Sequence, residues 1–413
     1  MSDMYEKIVS RTEDYARDIC EFASELIKTE SLSGSEQGVA ALVEGKMREL
    51  GFDEVTVDPM GNVRGSVGTG NTLIAADGHM DTVGAGNRDQ WSRPPFSGEQ
   101  DDTCLYGRGA SDMKAAIASM VYAGKVLRDL SLTDRFTYMV CATVQEEPCE
   151  GLAWEYLIEN EGVSPDVVII AEPSDDRISL AQKGRMELKI SVTGKSAHAS
   201  APHMGDNAIY AMAKIVSELE ALSTNLTIED EDLGKGTLVV SEMISGAPSR
   251  SSVADYCELT IDRRLTWGES PQYALEQVQQ LPSVQAARAT VEFHTFEEPS
   301  YTGLVPCKEC TFPAWKIEKD HVVTRSTVKA YEGLFNTPPT LTTWPFSTNG
   351  VAIMGKHGIP VIGYGPGVIA ACHVPDEYVE KKQVLRATMM YAAMCATYAA
   401  EINKEGVSHA QPV

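Results

Sequence analysis

Histidine and carboxylate side chains stand directly after three short apolar stretches of the sequence. His79 and Asp81 follow the first stretch, Glu146 and Glu147 follow the second, and Glu172 follows the third. Short apolar stretches of this kind predict buried strands. In an open α/β sheet, ligands bind in the crevice beyond the carboxyl ends of the strands. These five side chains are therefore expected to lie close together at one edge of a sheet.

Two further groups are expected at the same edge. Asp112 opens a predicted helix after the glycine-rich stretch 106–109, and His373 follows the glycine-rich stretch 363–367. Imidazole nitrogen combined with carboxylate oxygen is the ligand set of catalytic zinc, whereas structural zinc prefers thiolates. The sequence therefore predicts a catalytic metal site.

The spacing within two of the groups indicates separate tasks for neighbouring side chains. The spacing of two puts His79 and Asp81 on one face of an extended segment, so Asp81 can accept the second ring N–H of a metal-binding histidine. Glu146 and Glu147 are adjacent and diverge, so one can bind metal while the other faces the substrate as a base. A His-x-Asp motif or a Glu-Glu pair is usually coincidental when it occurs alone. The occurrence of all these groups together and in this order is what indicates a catalytic site.

The elements that must position these groups alternate between apolar strands and amphipathic helices, which predicts a mixed, mostly parallel sheet with helices on both faces. The stretch 185–193 breaks this pattern with strict period-two alternation, and a helix, two strands, a helix and a strand follow it. That order is typical of the split β-α-β sandwich. We therefore predict an α/β fold with an inserted α+β, ferredoxin-like domain, and segments 1–184, 185–298 and 299–413.

Individual elements can be placed from the same patterns. The predicted helices are 3–28, 35–50, 115–130, 153–160, 207–222, 271–280, 326–335 and one that begins at Lys381. The predicted strands are 55–57, 63–67, 73–76, 136–144, 167–171, 185–193, 237–244, 256–264 and 291–296.

The charge of the 413-residue chain excludes several classes of function. It holds 35 Lys and Arg against 59 Asp and Glu, a formal net charge of −24. A field of that sign repels phosphate backbones and anionic lipid heads, which argues against nucleic-acid and membrane partners. No stretch approaches the ~18–20 apolar residues of a membrane span, and the first residues lack the apolar core of a signal peptide. We therefore predict a cytoplasmic protein.

Some cysteines and histidines match no motif. Cys307 and Cys310 form a C-x-x-C, but no second pair completes a zinc ribbon and no redox context surrounds it, so we interpret the spacing as coincidental. The nine cysteines are scattered and are expected to be reduced thiols. The histidines predicted to be structural or solvent-exposed are His294, His321, His357 and His409.

Several segments together resemble one family. They are Gly78-His79-Met80-Asp81-Thr82-Val83, Leu105-Tyr106-Gly107-Arg108-Gly109-Ala110-Ser111-Asp112-Met113-Lys114, Glu146-Glu147, Gly194-Lys195-Ser196-Ala197-His198 and Cys372-His373-Val374-Pro375-Asp376-Glu377-Tyr378. In order and spacing they look like the co-catalytic zinc metallopeptidase family of aminoacylase, carboxypeptidase, acetylornithine deacetylase and succinyl-diaminopimelate desuccinylase type. In finer detail the chain resembles a bacterial branch called selenium-metabolism-linked hydrolase, a label that does not fix the substrate.

The resemblance implies a fold and a ligand set. The fold would be a zinc-peptidase-like catalytic domain with an inserted lid and dimerisation domain. Two divalent metal ions, zinc in the first place and cobalt or manganese as alternatives, would be bound. His79 and Glu172 would hold one ion, Glu147 and His373 the other, and Asp112 would bridge them. The peptide bond after Asp112 would be cis.

The resemblance also implies three catalytic residues. Asp81 would orient the metal-binding His79, and Glu146 would be the general base towards a metal-bound hydroxide as nucleophile. His198 would donate a hydrogen bond to the tetrahedral oxyanion, commonly from the partner subunit, although the sequence leaves open whether it acts within one chain or across a dimer.

Substrate contacts are implied more weakly. Arg264 aligns with a family arginine that pairs with a substrate carboxylate, for which a guanidinium fork suits by geometry. Further candidate contacts are Asn207, Asn349 and Gly365. Two departures from the family pattern, Ser251 for an asparagine and Asn349 for an aspartate, concern the identity of the substrate.

The resulting hypothesis is a homodimeric, two-metal hydrolase that cleaves a linear amide bond in a small substrate with a free carboxylate, such as an N-acyl amino acid or a dipeptide. One alternative is a carbamoyl or ureido amidohydrolase of nitrogen or purine salvage, which would release ammonia. Another is a metal-binding scaffold without catalysis, against which the base at Glu146 argues.

Overall fold

The chain folds around two large β-sheets, and three further sheets have two strands each. A computed structural model describes residues 2–405. Its helices are α1 Ser2–Asp14, α2 Ala16–Lys28, α3 Gln37–Glu49, α4 Ala115–Asp129, α5 Leu152–Glu159, α6 Ala208–Thr224, α7 Pro271–Gln279, α8 Pro282–Ala287, α9 Val322–Phe335 and α10 Lys381–Glu405. Its strands are β1 Glu54–Val57, β2 Val63–Val67, β3 Thr72–His79, β4 Cys104–Tyr106, β5 Phe136–Thr143, β6 Val167–Ile170, β7 Ile178–Gln182, β8 Gly184–Thr193, β9 Glu229–Asp230, β10 Gly234–Lys235, β11 Thr237–Gly246, β12 Tyr256–Leu265, β13 Thr290–Phe293, β14 Thr295–Phe296, β15 Lys308–Glu309, β16 Thr311–Phe312, β17 Trp315–Lys316, β18 Leu341–Trp344, β19 Val361–Gly363 and β20 Tyr378–Glu380.

The larger sheet confirms the predicted α/β fold. Its nine strands run in the order β1-β2-β5-β3-β6-β19-β7-β17, with β18 beside β7. At its centre β3 is parallel to both β5 and β6, and β6 is parallel to β19. Because β3, β5 and β6 point the same way, their carboxyl ends meet at one edge, where ligands bind in folds of this kind.

Helix α4 forms the core beneath that edge. Nearly every residue from Ala115 to Leu127 is buried, and α2 and α10 pack against the same helix. The sequence of α4 is rich in alanine, which is a strong helix former and lets neighbouring elements approach closely. The segment of Asp112 leads directly into α4, so the buried helix fixes its position.

The smaller sheet has five strands and a separate hydrophobic core. Its order is β11-β12-β8-β13, with β16 also paired to β8, and all of its pairs are antiparallel. The predicted alternation is seen in β8, where Met186, Leu188 and Ile190 are buried and the residues between them are partly exposed. Helices α6 and α7 cover this apolar face. The predicted α+β insertion is therefore observed.

The structure contains several short strands and a short helix, α8, that were not predicted, and three larger differences have a clear physical reason. The predicted helix 3–28 is broken at Tyr15, whose ring packs against Tyr122 of α4, so a tertiary contact overrides the periodicity. The predicted strand 291–296 is interrupted at His294, because β13 pairs with β8 whereas β14 pairs with β15. Strand β7 was not predicted, because its buried Ser179 and Gln182 hide the apolar pattern.

The boundaries at residues 184 and 298 remain predictions. Strand β16, which lies beyond residue 298, pairs with β8 of the smaller sheet. Met1 and residues 406–413, including His409, lie outside the described residues. Among the helices that the structure describes, none is both long enough and apolar enough to cross a membrane.

Candidate metal centre

Asp112 connects two histidines through its two carboxylate oxygens. The Nε2 atom of His79, at the end of β3, lies 2.9 Å from Asp112 Oδ1. The Nε2 atom of His373 lies 3.1 Å from Asp112 Oδ2. A carboxylate whose oxygens face two separate imidazoles has the arrangement of a ligand that bridges two cations.

Each histidine also faces a second carboxylate. His79 Nε2 is 3.5 Å from Oε1 of Glu172, which follows β6. His373 Nε2 is 3.2 Å from Oε2 of Glu147, which follows β5. The structure therefore brings together all five residues predicted as metal ligands, and it arranges them as two sets that share Asp112.

The donors fit a pair of divalent cations. Two groups of three residues at the site could each hold a metal ion, because the ligand atoms within each group lie within 4.8 Å of one another. One group is His79, Asp112 and Glu147, and the other is His79, Glu146 and Glu172. Oε1 of Glu146 is buried and has no hydrogen-bond partner among the described residues. Imidazole nitrogen with carboxylate oxygen suits zinc and its neighbours, so the residues present fit a two-metal site.

The electrostatics of the site favour a cation. Burial, reinforced by neighbouring carboxylates, raises the pKa of both Glu146 and Glu172 well above the ordinary value. Hydrogen bonds to Asp112 and Glu147 raise the pKa of His373 to about 10. For Asp112, burial opposes ionisation, but hydrogen bonds from His373 and His79 keep its pKa below the ordinary value. A buried excess of carboxylates of this kind attracts positive charge.

Asp81 supports both the histidine and the glutamate pair. Its backbone carbonyl accepts from Nδ1 of His79 at 2.9 Å, which leaves Nε2 to face the carboxylates, and its carboxylate lies 3.5 Å from the same nitrogen. That carboxylate also accepts from the backbone N–H groups of Glu146 and Glu147, both at 3.2 Å, and from the hydroxyl of Ser33 at 2.7 Å. Asp81 therefore links the end of β3 to the loop after β5.

Glu377 fixes the segment of Asp112 and was missed by the sequence reasoning. Its Oε1 accepts backbone hydrogen bonds from Gly109 at 3.1 Å, Ser111 at 2.9 Å and Asp112 at 3.0 Å. Its Oε2 accepts a hydrogen bond from the guanidinium of Arg108 at 2.6 Å. The peptide bond after Asp112 is cis, as the resemblance implied. The presence of Glu377 in the closing motif was the available signal.

Glu36 supports the loop that carries the glutamate pair. Its Oε1 accepts from the backbone N–H of Gln145 at 3.1 Å and of Gly34 at 3.0 Å. Gln145 has a φ of 54°, a left-handed conformation that is uncommon for residues other than glycine. Burial raises the pKa of Glu36 to about 7. No motif marks Glu36, since it stands on the turn before α3.

A cavity of about 320 Å³ opens over these carboxylates. Arg264 lines it and pairs with Asp262 of its own strand at 2.9 Å. Arg185, which the sequence reasoning did not select, also lines it and pairs with Glu150 at 2.8 Å. The full lining is Asp112, Glu146, Glu147, Glu150, Glu172, Pro173, Arg185, Arg264, Phe346, Ser347, Ile369, Cys372 and His373.

Two predicted residues of the smaller sheet's region do not line this cavity. His198 is exposed, and its Nδ1 lies 2.7 Å from the hydroxyl of Ser200. Asn207 caps α6, because its side-chain oxygen accepts from the backbone N–H of Ile209 at 3.0 Å. Capping of this kind is the ordinary structural role of an asparagine before a helix.

Asn349 and Gly365 lie beneath the site instead of in its cavity. The Asn349 amide donates to both oxygens of Asp77, at 3.2 and 3.1 Å, and its oxygen accepts from the backbone of Gly151 at 2.8 Å. A Cβ atom at Gly365 would stand 2.0 Å from the carbonyl oxygen of Ala171, so only glycine allows this approach to the end of β6.

Comparison with known sequences identifies the family. The peptidase family M20/M25/M40 matches residues 75–397. The chain is 48% identical over 390 residues to the uncharacterized protein YgeY of Escherichia coli (strain K12), which covers 94% of this chain and 96% of that protein. It is 26% identical over 361 residues to a probable succinyl-diaminopimelate desuccinylase of Staphylococcus aureus (strain MRSA252), covering 79% of this chain and 83% of the relative.

Solved structures share the fold. The aminopeptidase PepT from Bacillus cereus ATCC 10987 has a TM-score of 0.72 at 20% identity, covering 93% of this chain and 99% of that one. The Bacillus subtilis YXEP protein, a dinuclear metal binding peptidase of the M20 family, has a TM-score of 0.68 at 14% identity, covering 93% of this chain and 98% of that one. The chain therefore belongs to the peptidase family M20/M25/M40, whose members are metal-dependent hydrolases of peptide and amide C–N bonds.

Proposed function

We propose that this chain is a two-metal amidohydrolase that cleaves a linear amide bond in a small substrate with a free carboxylate, of the N-acyl amino acid or dipeptide type. One observation carries the proposal: a single cavity is lined both by the carboxylate and histidine cluster around Asp112 and by the guanidinium groups of Arg185 and Arg264. Such a cavity offers cationic groups to a substrate carboxylate close to the residues that would hold the metals.

Five side chains would hold the metals. His79 and Glu172 form one set, Glu147 and His373 form the other, and Asp112 belongs to both. When bound, two divalent cations acidify a water molecule and polarise a carbonyl group. We assign zinc because its preferred donors are those present, although cobalt and manganese accept the same donors.

Glu146 is proposed as the general base and acid. Its carboxylate is buried, one of its oxygens has no partner among the described residues, and the hydrogen bond from its backbone to Asp81 fixes its loop. The raised pKa of Glu146, caused first by burial, suits a group that takes a proton from water and returns it to the leaving amine.

Arg264 and Arg185 are proposed to bind the substrate carboxylate. Both line the cavity, and a guanidinium group binds a carboxylate through two parallel hydrogen bonds. Arg264 is about one third exposed, and its ion pair within the described residues is with Asp262 of its own strand, so it can turn towards a ligand. Arg185 is held by Glu150 and therefore offers a fixed positive charge.

His198 is proposed to reach the cavity of a partner subunit. It is exposed and does not line the cavity of its own chain. Strand β11 is an edge of the smaller sheet and exposes Val239, Met243 and Ile244, an unusual set of side chains for a solvated edge. A homodimer through this lid would cover that edge and bring a second lid loop near each site.

The protein is proposed to work in a reducing, cytoplasmic compartment. All nine of its cysteines lie within the described residues and none forms a disulfide, although several are buried close to other elements. Small-molecule amides are the expected partners, and the charge of −24 argues against nucleic acid.

A substrate panel tests the proposal. Metal-depleted protein is reloaded with Zn²⁺, Co²⁺ or Mn²⁺ and assayed with N-acyl amino acids, dipeptides and ureido acids, each beside its carboxamide analogue. We expect turnover of N-acyl amino acids or dipeptides and little turnover of the carboxamides. Ammonia released from ureido acids alone would instead favour the carbamoyl hydrolase, and turnover of none of the three would refute the proposal.

A further inference from the structure

A second cluster of potential metal ligands lies outside the candidate metal centre. Glu187 stands on β8, His294 between β13 and β14, and Cys310 between β15 and β16. One carboxylate oxygen, one imidazole nitrogen and the sulfur of these residues all lie within 4.8 Å of one another. None of the three is used by the proposed reaction.

The backbone holds these three residues in a closed ring. The N–H of His294 donates to the carbonyl of Glu187 at 2.9 Å, that of Glu187 to the carbonyl of Cys310 at 3.1 Å, and that of Cys310 to the carbonyl of His294 at 2.8 Å. These three hydrogen bonds fix the relative positions of the three residues, so their side chains are held near one another before any ligand binds. Such preorganisation lowers the entropy that a ligand must overcome on binding.

The sulfur of Cys310 is prepared to act as a ligand. Cys310 is buried, and its Sγ lies 4.0 Å from Nδ1 of His294. The thiol of Cys149 and, to a smaller extent, His294 lower the pKa of Cys310 to about 7, although burial and the carboxylate of Glu187 act to raise it. A thiolate, and not a thiol, binds metal. Cys307, the other member of the C-x-x-C, is exposed and contacts Glu297 instead.

We propose that Glu187, His294 and Cys310 form a metal site separate from the catalytic pair, which takes a single Zn²⁺ ion. A thiolate beside an imidazole selects zinc over magnesium, calcium or manganese. Zinc bonds of about 2.0–2.3 Å require the three donor atoms to move closer by roughly 1 Å, which side-chain rotation supplies. His294 is exposed, so a water molecule completes the coordination.

Nearby positive charges do not block the site. Arg185 lies 3.3 Å from Glu187 but is closer, at 2.8 Å, to Glu150. Lys308, the cation near the cysteines, is bound to Glu155 at 2.8 Å. Each of these cations therefore has its own carboxylate, which leaves an oxygen of Glu187 for a metal ion.

The site would join three segments of the chain that lie beside the loop after β5. Glu187 belongs to β8 of the smaller sheet, His294 lies between β13 and β14, and Cys310 lies between β15 and β16. Cys149, whose thiol lowers the pKa of Cys310, follows the glutamate pair with only one residue between them, so it belongs to the loop after β5. An ion that joins these three segments would be a structural ion and not a reacting one.

Cobalt binding tests the proposal with a readout besides activity. Co²⁺ bound to a thiolate shows a strong near-ultraviolet charge-transfer band, whereas the five proposed ligands of the catalytic centre are nitrogen and oxygen donors; loss of the band in Cys310→Ser separates Cys310 from Cys372, the thiol that lines the catalytic cavity. Titration of metal-depleted protein should give this band, and elemental analysis should give three metal ions per chain. Cys310→Ser should lose the band and one ion, and His294→Gln should weaken binding of the third ion at least tenfold.

Cys307→Ser is the matched control, because it removes a thiol three residues away that faces Glu297; it should keep the band and the third ion. Circular dichroism of each variant checks that the fold is kept, and His294→Gln keeps the test informative if Cys310→Ser fails to fold. Two ions per chain and no charge-transfer band in the unmodified protein, or a band that survives in both ligand variants, would overturn the proposal. Neither result bears on the catalytic pair.

Discussion

The carboxylate of Glu377 accepts a hydrogen bond from the backbone N–H of Asp112 at 3.0 Å. The same oxygen accepts from the two other backbone N–H groups of this segment, so one side chain from the end of the chain sets the position of the carboxylate shared by both histidines. Glu377 is completely buried, and the guanidinium of Arg108 balances its charge. We interpret Glu377 as a positioning residue, because it acts through Asp112.

Replacing Glu377 should weaken metal binding. Glu377→Gln keeps one oxygen for the backbone donors but leaves Arg108 buried without its counter-charge, so Asp112 is held less firmly. Loss of a supporting partner typically lowers metal affinity or activity ~10–100-fold. Competition with a chromogenic chelator measures the affinity. Glu380→Gln, which changes an exposed carboxylate three residues later on β20, is the control and should leave the affinity unchanged.

Replacing Glu146 should stop turnover while the metals stay bound. Glu146→Gln keeps the size of the side chain but cannot take a proton, and general acid–base catalysis is worth ~10²–10⁴-fold in rate. The measurement is kcat on the best substrate of the panel together with metal content. Unchanged kcat would refute the role, whereas loss of metal together with kcat would indicate a ligand instead of a base. Glu54→Gln, exposed on β1, is the control.

Arg264→Lys should raise KM more than it lowers kcat. A lysine keeps the positive charge but loses the planar fork that a carboxylate matches. We expect roughly a tenfold rise in KM for substrates with a free carboxylate, since a lost charged hydrogen bond costs ~1.5–3 kcal/mol. The carboxamide analogues should show no such change. An equal rise for both kinds of substrate would show that Arg264 does not contact the carboxylate.

Mixed dimers test whether His198 acts across a subunit boundary. Variants with His198→Ala and Glu146→Gln should each be almost inactive alone. If His198 serves the partner's site, a dimer of one variant with the other contains one intact site and recovers activity. Activity should therefore appear on mixing and subunit exchange. No recovery in dimers that are shown to be mixed would place His198 in its own subunit's site.

The stability of the protein should depend on pH through Glu36. Because burial raises its pKa from 4.5 to about 7 in the folded state, its contribution to stability is complete below pH 4.5 and is lost as the pH rises through about 7. Glu36→Gln removes this loss. The unfolding free energy of the variant minus that of the unmodified protein should therefore increase by roughly 2–4 kcal/mol between pH 4.5 and 7.5.

Denaturant unfolding of the metal-loaded protein at several pH values measures this difference. The exposed Glu49→Gln on α3 is the control and should follow the unmodified protein at every pH. A constant difference between the Glu36 variant and the unmodified protein would contradict the prediction.

Three of the metal ligands, His79, Glu147 and Glu172, could be found from the sequence because each follows an apolar strand, whereas Asp112 and His373 follow glycine-rich stretches. That rule placed His79 and Glu172 at one edge before any contact was known, and parallel pairing of β3 with β6 brings them together. Glu377 and Glu36 could not be found in this way. Both act on backbone N–H groups of distant segments, and no pattern of residue types reports which backbone a carboxylate meets.

Substrate contacts were the least predictable part. Asn349 and Asn207 carry polar groups that suit a ligand, but the fold uses them for the buried Asp77 and for the start of α6. Arg185 showed no signal because it begins a strand whose inward positions are apolar, and only the packing of the two sheets turns it towards the cavity.

The close approach of Gly365 to Ala171 limits how this enzyme can change. Any side chain at residue 365 would displace the carbonyl of Ala171 and with it the neighbouring Glu172. Substitution of Gly365 would therefore disturb a metal ligand before it altered selectivity. Adaptation to new substrates is left to residues such as Phe346 and Ser347, which line the cavity and are not among the five metal ligands.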